Sequence, residues 1–73
     1  MPIVNIKTIK GLLTKEKKAE LHRKIADVLV EVEGNGNPSF AKYVVIEIQE
    51  EEPENFSISG QQASLELVEK IKD

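Results

Sequence analysis

The chain has 73 residues, no cysteine and one histidine, and its 10 basic and 13 acidic side chains give a net charge of −3. Disulfides are therefore excluded, and a zinc site of the usual Cys/His kind is not expected. The negative charge disfavours a nucleic-acid partner, since nucleic-acid-binding proteins normally carry a basic patch. No apolar run approaches the ~20 residues of a membrane span, and the opening residues lack the pattern of a secretory signal. We expect a cytoplasmic protein with no membrane partner.

The length predicts a single domain over residues 1–73. A chain of about 60 residues buries only ~60% of the surface that its unfolded form exposes. Folds this small are commonly stabilised by disulfides, metals or association. Because the first two are not expected here, the composition predicts a homo-oligomer.

The first half of the chain has the pattern of a strand followed by a long helix. Residues 2–9 are rich in β-branched side chains, which is typical of a strand, and Gly11 ends the run. Thr14 is a predicted helix N-cap, and the segment 15–33 should be helical. Its apolar residues recur at helical spacing and define one face of that helix: Leu21, Ile25, Val28, Leu29 and Val32.

The second half predicts another strand and a closing helix. Residues 34–38, Gly-Asn-Gly-Asn-Pro, predict a tight connection. Residues 40–48 predict a strand whose nearly continuous apolar character favours burial on both faces. The acidic segment 50–54 predicts a solvated loop. Residues 56–60 predict a short strand or hairpin arm, and residues 61–72 predict a helix.

This order of elements predicts an α+β fold with a β-α-β unit at its centre. Its crossover should be right-handed and its two strands parallel. Two strands and one helix leave one face of the sheet and its edges uncovered. We expect other copies of the chain to cover them.

Pro2 is the candidate for chemistry, because removal of Met1 would give it a free secondary amine. An α-amino group has a pKa of about 7.7–8.0, and apolar surroundings lower that pKa. A base with a pKa near the working pH is well placed to take a proton and return it, and the ring fixes the direction of the nitrogen. Met-Pro openings are also common where the proline has no chemical role.

The motifs along the chain, taken in order, resemble those of the 4-oxalocrotonate tautomerase family. They are the opening Pro-Ile-Val-Asn-Ile, Gly11, the long amphipathic helix, Tyr-Val-Val-Ile-Glu from Tyr43, and Asn-Phe-Ser-Ile-Ser-Gly from Asn55. The resemblance covers residues 2–64. It implies β-α-β chains that assemble as a homohexamer, a trimer of dimers, and that use no metal or organic cofactor.

The resemblance also implies an activity, that of a tautomerase or isomerase. Its amino-terminal proline, here Pro2, would move a proton between carbons of an enol or dienol keto acid. Positive side chains, some from neighbouring subunits, would hold the substrate carboxylates. An aromatic residue at the position of Phe56 would keep the site apolar.

Two positions depart from the family pattern. Members with the best-known activity carry an arginine directly after the glycine that ends the first strand, where this chain has Leu12. A second family arginine, at the start of the second strand, aligns with Lys42 or Tyr43, and the one arginine here is Arg23 in the predicted helix. A lysine binds a carboxylate as a point charge, whereas arginine makes two parallel hydrogen bonds. A smaller or less charged enol is therefore an equal alternative to the family's diacid.

The candidate site is thus Pro2 as catalytic base and then acid, with Lys42, Tyr43 and Phe56 as substrate-binding residues. Each of the last three has a simpler interpretation. A lysine at a strand edge protects against aggregation, and the tyrosine can merely pack, which is the interpretation we favour for it. The phenylalanine can belong to the core or to an interface.

Two other functions stay open. A non-catalytic interaction module that kept the fold is favoured by Leu12 and by the shortage of arginine. A hydratase or dehalogenase-like relative would need a carboxylate near Pro2, whereas we expect the glutamates of residues 50–54 to be solvated surface. His22 is expected to be a partly buried helix residue with no chemical role. The lysines and glutamates of residues 15–24 are expected to form an exposed face with i, i+4 pairs.

Overall fold

A computed structural model describes residues 1–72 of the chain, with side-chain exposure described as far as Ile71. Two turns of 3-10 helix, Pro38–Tyr43 and Pro53–Asn55, separate its main elements. Those elements are, in chain order, β1 (Ile3–Ile9), α1 (Lys15–Val32), β2 (Val45–Glu51), β3 (Ser57–Ile58), β4 (Gln61–Gln62) and α2 (Leu65–Lys72). β1 and β2 pair in parallel, and β3 and β4 form an antiparallel hairpin. The predicted α+β fold, a β-α-β unit with a carboxyl-terminal hairpin and helix, is confirmed.

α1 begins and ends where the sequence predicts. The side chain of Thr14 accepts a hydrogen bond from the amide of Lys17 at 3.1 Å, which satisfies one of the free N–H groups of the first turn. Leu21 is half-buried, whereas Val28 and Val32 of the same apolar face are exposed. The apolar face of α1 is therefore wider than the part that its own chain covers. Within residues 1–72, no helix has the length and apolar character needed to cross a membrane.

The connection from α1 to β2 depends on a close approach between Gly34 and Phe40. A Cβ atom at Gly34 would lie 2.6 Å from the Cβ of Phe40, so only glycine fits there. Asn37 caps the next turn by accepting a hydrogen bond from the amide two residues later, at 3.1 Å. Residues 40–43 therefore complete the turn Pro38–Tyr43, and β2 begins at Val45. The prediction of a strand from residue 40 is wrong at its start, because β2 begins five residues later.

The sheet of β1 and β2 has one covered face and one open face. Ile3 pairs with Val45 and Ile6 pairs with Ile48. Exposure alternates along both strands, so every second residue is half-buried. Ile3 is 73% exposed, which leaves apolar surface on the open face. Within one chain β2 is thus covered on one face only, whereas the sequence predicts burial on both faces. The open face carries Ile3, Asn5, Lys7, Val45, Glu47 and Gln49.

The carboxyl-terminal arm, residues 53–72, contains the most buried side chains of the described chain. Three residues among 1–71 are buried, namely Pro53, Ala63 and Val68. Val68 of α2 is 1% exposed and packs on Gly11, where a Cβ atom would lie 3.4 Å from its Cγ1. Gly11 has φ +104°, a backbone conformation that favours glycine. α2 is therefore anchored on the turn that follows β1.

The start of α2 differs from the prediction. Gln61 and Gln62 pair with β3 instead of beginning the helix, and α2 starts at Leu65. The turn between β3 and β4 consists of Ser59 and Gly60, both with positive φ, which is the type I′ geometry that suits two-residue hairpins. The short strand or hairpin arm predicted for residues 56–60 is found as β3, and the predicted helix begins four residues too early.

The chain is extended for its size. Its radius of gyration is 15.2 Å and its extents are 43 × 23 × 15 Å, whereas a compact domain of this length has a radius of about 11 Å. Apolar side chains stay exposed on the open sheet face, on α1 and on the arm. The open sheet face and the exposed side of α1 are the surfaces that contact with other copies of the chain would cover.

Candidate functional site

Pro2 lies at the amino edge, which is the end of the sheet where β1 and β2 both begin. The amide of Val45 donates a hydrogen bond to the carbonyl oxygen of Pro2 at 3.0 Å. A proline is tolerated at this position because a first strand residue need not donate to the ladder. Pro2 is half-buried, and Met1 before it is 79% exposed. The strand pairing thus fixes the backbone of Pro2 while leaving Met1 in solvent.

Lys42 and Tyr43 lie at the same amino edge, because they end the turn that leads into β2. The Nζ atom of Lys42 lies 5.2 Å from the centroid of the Tyr43 ring. The ring of Phe40 meets that of Tyr43 edge-on, with 6.0 Å between centroids. Tyr43 therefore packs against its neighbours and is still 45% exposed. Lys42 lies in a turn and not in a strand, so protection of a strand edge does not explain it.

Phe56 lies at the opposite end of the sheet, which we call the carboxyl edge. The amide of Lys10 donates to the carbonyl of Glu51 at 2.8 Å where β1 and β2 end. Phe56 follows β2 through the tight turn Pro53–Asn55. A seven-residue strand is roughly 20 Å long at about 3.3 Å per residue, so the carboxyl edge is about that far from Pro2. The backbones of Pro2, Lys42 and Tyr43 thus lie at one end of the sheet, and within one chain Phe56 lies at the other end.

The turn after Gly11 also belongs to the carboxyl edge. Leu12 is half-buried there. It directly follows Gly11, on which Val68 of α2 packs, so this turn carries an apolar side chain and no cation at that position.

The acidic segment 50–54 also lies at the carboxyl edge, and the prediction that it forms a solvated loop is wrong in part. Glu50 and Glu51 are the last residues of β2. Glu50 forms an ion pair with Lys18 of α1, and Glu52 forms one with Lys10 at 3.3 Å. In a single chain these carboxylates are far from Pro2.

The polar residues of α1, apart from Lys18, lie on its exposed face. His22 is exposed, so the prediction that it is partly buried is wrong. Glu20 and Lys24 form the expected i, i+4 ion pair at 2.7 Å, and the hydrogen bond from Lys24 lowers the pKa of the Glu20 carboxyl. Among the described residues, no three His, Asp or Glu side chains are grouped so that they could hold a metal ion.

A cavity between the hairpin and α2 was not expected from the sequence. It has a volume of about 460 Å³. The predicted helix began at residue 61 and so included β4, which is half of the hairpin. No cavity could therefore be expected between a hairpin and that helix. Ser59-Gly60 followed by polar residues is the signal that could have indicated the turn. The cavity is lined by Ile58, Ser59, Gln61, Gln62, Ala63 and Leu67.

The chain combines a β-α-β unit with a proline that pairs at the amino edge of two parallel strands. Residues 2–64 match the family described as "Tautomerase enzyme". This chain therefore belongs to the tautomerase family, as its motifs predict. Proteins of this family are oligomeric and act on small molecules. No curated protein shows significant similarity to the chain.

Solved structures support the same assignment. DmpI from Helicobacter pylori is 30% identical, with 84% of this chain and 94% of that chain covered and a TM-score of 0.68. A structure described for trans-3-chloroacrylic acid dehalogenase activity is 24% identical, with 85% and 98% covered and a TM-score of 0.68. TomN, a 4-oxalocrotonate tautomerase homologue of the tomaymycin biosynthetic pathway, is 18% identical, with 99% and 97% covered and a TM-score of 0.72. The last two show the fold alone.

Proposed function

We propose that this protein is a cofactor-independent tautomerase or isomerase that moves a proton between carbons of an enol or dienol keto acid. The observation that carries the proposal is the pairing of Pro2 with Val45, through the 3.0 Å bond from the Val45 amide to the Pro2 carbonyl. Because the backbone is fixed and the ring locks φ, the nitrogen of Pro2 has a defined direction once Met1 is removed. Membership of the tautomerase family supports the same role.

Pro2 acts first as base and then as acid. Its neutral amine accepts a proton from the hydroxyl of an enol or from the α-carbon of a keto acid, and the electrons of the broken bond pass into the conjugated enolate. The electrons of the former C=C bond then take a proton from the prolinium nitrogen at carbon, so the amine is regenerated and no atom is lost. A free amine with a lowered pKa suits both steps near neutral pH.

Lys42 and Tyr43 supply the polar contacts. The ammonium group of Lys42 holds the substrate carboxylate or carbonyl by a charge-assisted hydrogen bond. The hydroxyl of Tyr43 can donate to the enolate oxygen as charge develops. Their contact with each other at the amino edge supports a shared role beside Pro2.

The complete site is formed between copies of the chain, in a homohexamer. Phe56 of one chain lies about 20 Å along the sheet from its own Pro2, so a neighbouring copy supplies the phenylalanine that keeps Pro2 dry. The open sheet face, with Ile3 at 73% exposure, and the radius of gyration of 15.2 Å support association.

The test compares protein whose Met1 has been removed with protein that retains it, each verified by mass. Ketonisation of phenylenolpyruvate and of 2-hydroxymuconate is followed for both. The retained methionine turns the Pro2 nitrogen into an amide, and the rate should then fall about 10²- to 10⁴-fold, as for loss of a general base. Equal rates would reject the proposal, and no turnover by the processed form would favour a non-catalytic module.

A second candidate is hydration of an unsaturated haloacid. It is favoured by one observation, that Glu52 and Glu54 lie on the same edge as Phe56, so a copy that brings Phe56 to Pro2 also brings carboxylates. Chloride release from trans-3-chloroacrylate by the processed protein tests it. Absence of chloride release in a preparation that ketonises enols would remove this candidate.

A further inference from the structure

We propose that the cavity between the hairpin and α2 binds the neutral, apolar end of the substrate. The protein would then prefer an enol with one carboxylate and an aryl or branched alkyl substituent over a diacid. This inference rests on the proposed function and adds the substrate class to it.

The lining of the cavity has the chemistry of such a pocket. Its apolar wall consists of Ile58, Ala63 and Leu67, and its polar residues are a serine and two glutamines, so it contains no charged residue. A volume of about 460 Å³ falls in the usual range for small-molecule pockets, roughly 300–1,000 Å³. The cavity is open to solvent along Ile58, which is 72% exposed, and a carboxylate placed there would gain no cation. A phenyl or branched alkyl group would gain apolar contacts.

The cavity is tied directly to the wall of the candidate site. The amide of Ala63 donates a hydrogen bond to the carbonyl of Phe56 at 2.8 Å. Gln62 also donates, through its Nε2, to the carbonyl of Glu54 at 2.7 Å, which fixes the hairpin on the turn before Phe56. Any copy that presents Phe56 to a neighbour's Pro2 therefore presents the cavity with it.

α2, which forms one wall of the cavity, lies outside the residues that match the family, 2–64. Two contacts hold Leu67 in place. Its amide is bonded to the Oγ of Ser64 at 3.3 Å, and its neighbour Val68 is buried on Gly11. Leu12 comes directly after that glycine and is half-buried, and the resemblance to the 4-oxalocrotonate tautomerase family implies an arginine at this position.

Charges at the carboxyl edge also disfavour a second carboxylate. Lys10 and Lys18 reach the carboxyl edge, and both are paired there with glutamates, at Glu52 and Glu50 respectively. The acidic segment 50–54 leaves this edge negative, and a substrate dianion would be repelled at close approach.

The test uses Leu67→Lys, with Leu65→Lys as its matched control. Leu65 lies on the same helix at 67% exposure and does not line the cavity. For Leu67→Lys we expect kcat/KM for phenylenolpyruvate to fall roughly tenfold or more, the discrimination that an apolar pocket supplies, while that for 2-hydroxymuconate is maintained or rises. Leu65→Lys should change neither value. Equal effects of both variants on the ratio of the two substrates would overturn the inference.

A binding measurement tests this inference whether or not the proposed function is correct. Phenylpyruvate is added to protein that retains Met1, and the methyl signals of Ala63 and Leu67 are followed by NMR. Concentration-dependent shifts that vanish in Leu67→Lys and persist in Leu65→Lys support the pocket, even if the processed protein turns over neither enol. Unperturbed methyl signals in the wild-type protein overturn it, even if Pro2 is catalytic.

Discussion

Pro2 and Phe56 of one chain lie at opposite ends of the same two-stranded sheet. Pro2 is hydrogen-bonded to Val45 where β2 begins, and Phe56 lies five residues beyond Glu51, where β2 ends. The length of β2 separates them by roughly 20 Å. A catalytic site that contains both residues can therefore form only by association, which explains why so small a chain leaves so much apolar surface exposed.

This separation predicts that two inactive variants complement each other. Pro2→Ala and Phe56→Ala proteins are unfolded together, refolded as a mixture and assayed for ketonisation of phenylenolpyruvate. A mixed oligomer contains sites with Pro2 from one variant and Phe56 from the other, about a quarter of all sites if copies mix at random. We expect the mixture to regain about a quarter of the activity of the wild-type protein.

The control for complementation mixes Pro2→Ala with a Pro2→Ala/Phe56→Ala double variant, which cannot form a native site and should stay inactive. Failure of the first mixture to exceed this control would show that both residues act within one chain.

Lys42 should control substrate affinity. Lys42→Ala is expected to raise KM for an enol acid roughly 10- to 150-fold, because a hydrogen bond to a charged group contributes about 1.5–3 kcal/mol. Lys42→Arg should restore KM or improve it, since arginine holds a carboxylate with two hydrogen bonds. Lys15→Ala, on exposed α1, serves as the control. Unchanged KM in Lys42→Ala would assign the lysine to its contact with Tyr43 alone.

Val68 should stabilise the fold out of proportion to its size. It is 1% exposed against the Gly11 turn, and its truncation to alanine should lower the free energy of unfolding by about 2 kcal/mol. Ile71→Ala on the same helix, at 56% exposure, should change it by less than about 0.5 kcal/mol. Urea unfolding at one fixed protein concentration measures both, because association contributes to stability. Equal losses would show that α2 is not anchored through Val68.

The Glu20–Lys24 pair predicts a small pH effect of known sign. The hydrogen bond from Lys24 lowers the pKa of Glu20, so the pair contributes stability above the unfolded-state pKa of Glu20. That contribution is lost as the pH falls through the lowered folded-state pKa. An NMR titration of the Glu20 side chain should show its pKa rising toward the ordinary value in Lys24→Met. An unchanged pKa would show that the pair does not form in solution.

The parts of the fold that the sequence predicts well are those set by local patterns. The N-cap at Thr14 and the helical spacing from Leu21 onwards are decided by residues within a turn of each other. The prediction fails where a contact with a residue outside the local segment determines the secondary structure. Phe40 has a strand-like sequence, but its approach to Gly34 keeps it in a turn. Gln61 has a helix-compatible sequence, but its pairing with Ile58 makes it a strand residue.

The roles of the candidate site residues stay predictions, and their positions could be predicted only in part. Pro2, Lys42 and Tyr43 follow from motif order, and connectivity alone brings them to one edge. The cavity wall at Leu67 could not be predicted, because its position depends on the packing of Val68 against Gly11. The distance of Phe56 from Pro2 likewise appears only when the register of β1 against β2 is known.

The central claim is that Pro2 provides the base, and a titration of its own nitrogen tests this most directly. Protein labelled with ¹⁵N at proline, with Met1 removed, is titrated by NMR beside the pH profile of kcat/KM for phenylenolpyruvate. We predict a pKa below the ordinary α-amino range of about 7.7–8.0, and the same value in the rising limb of the pH profile. A pKa within or above that range, with a rate insensitive to it, would contradict the account.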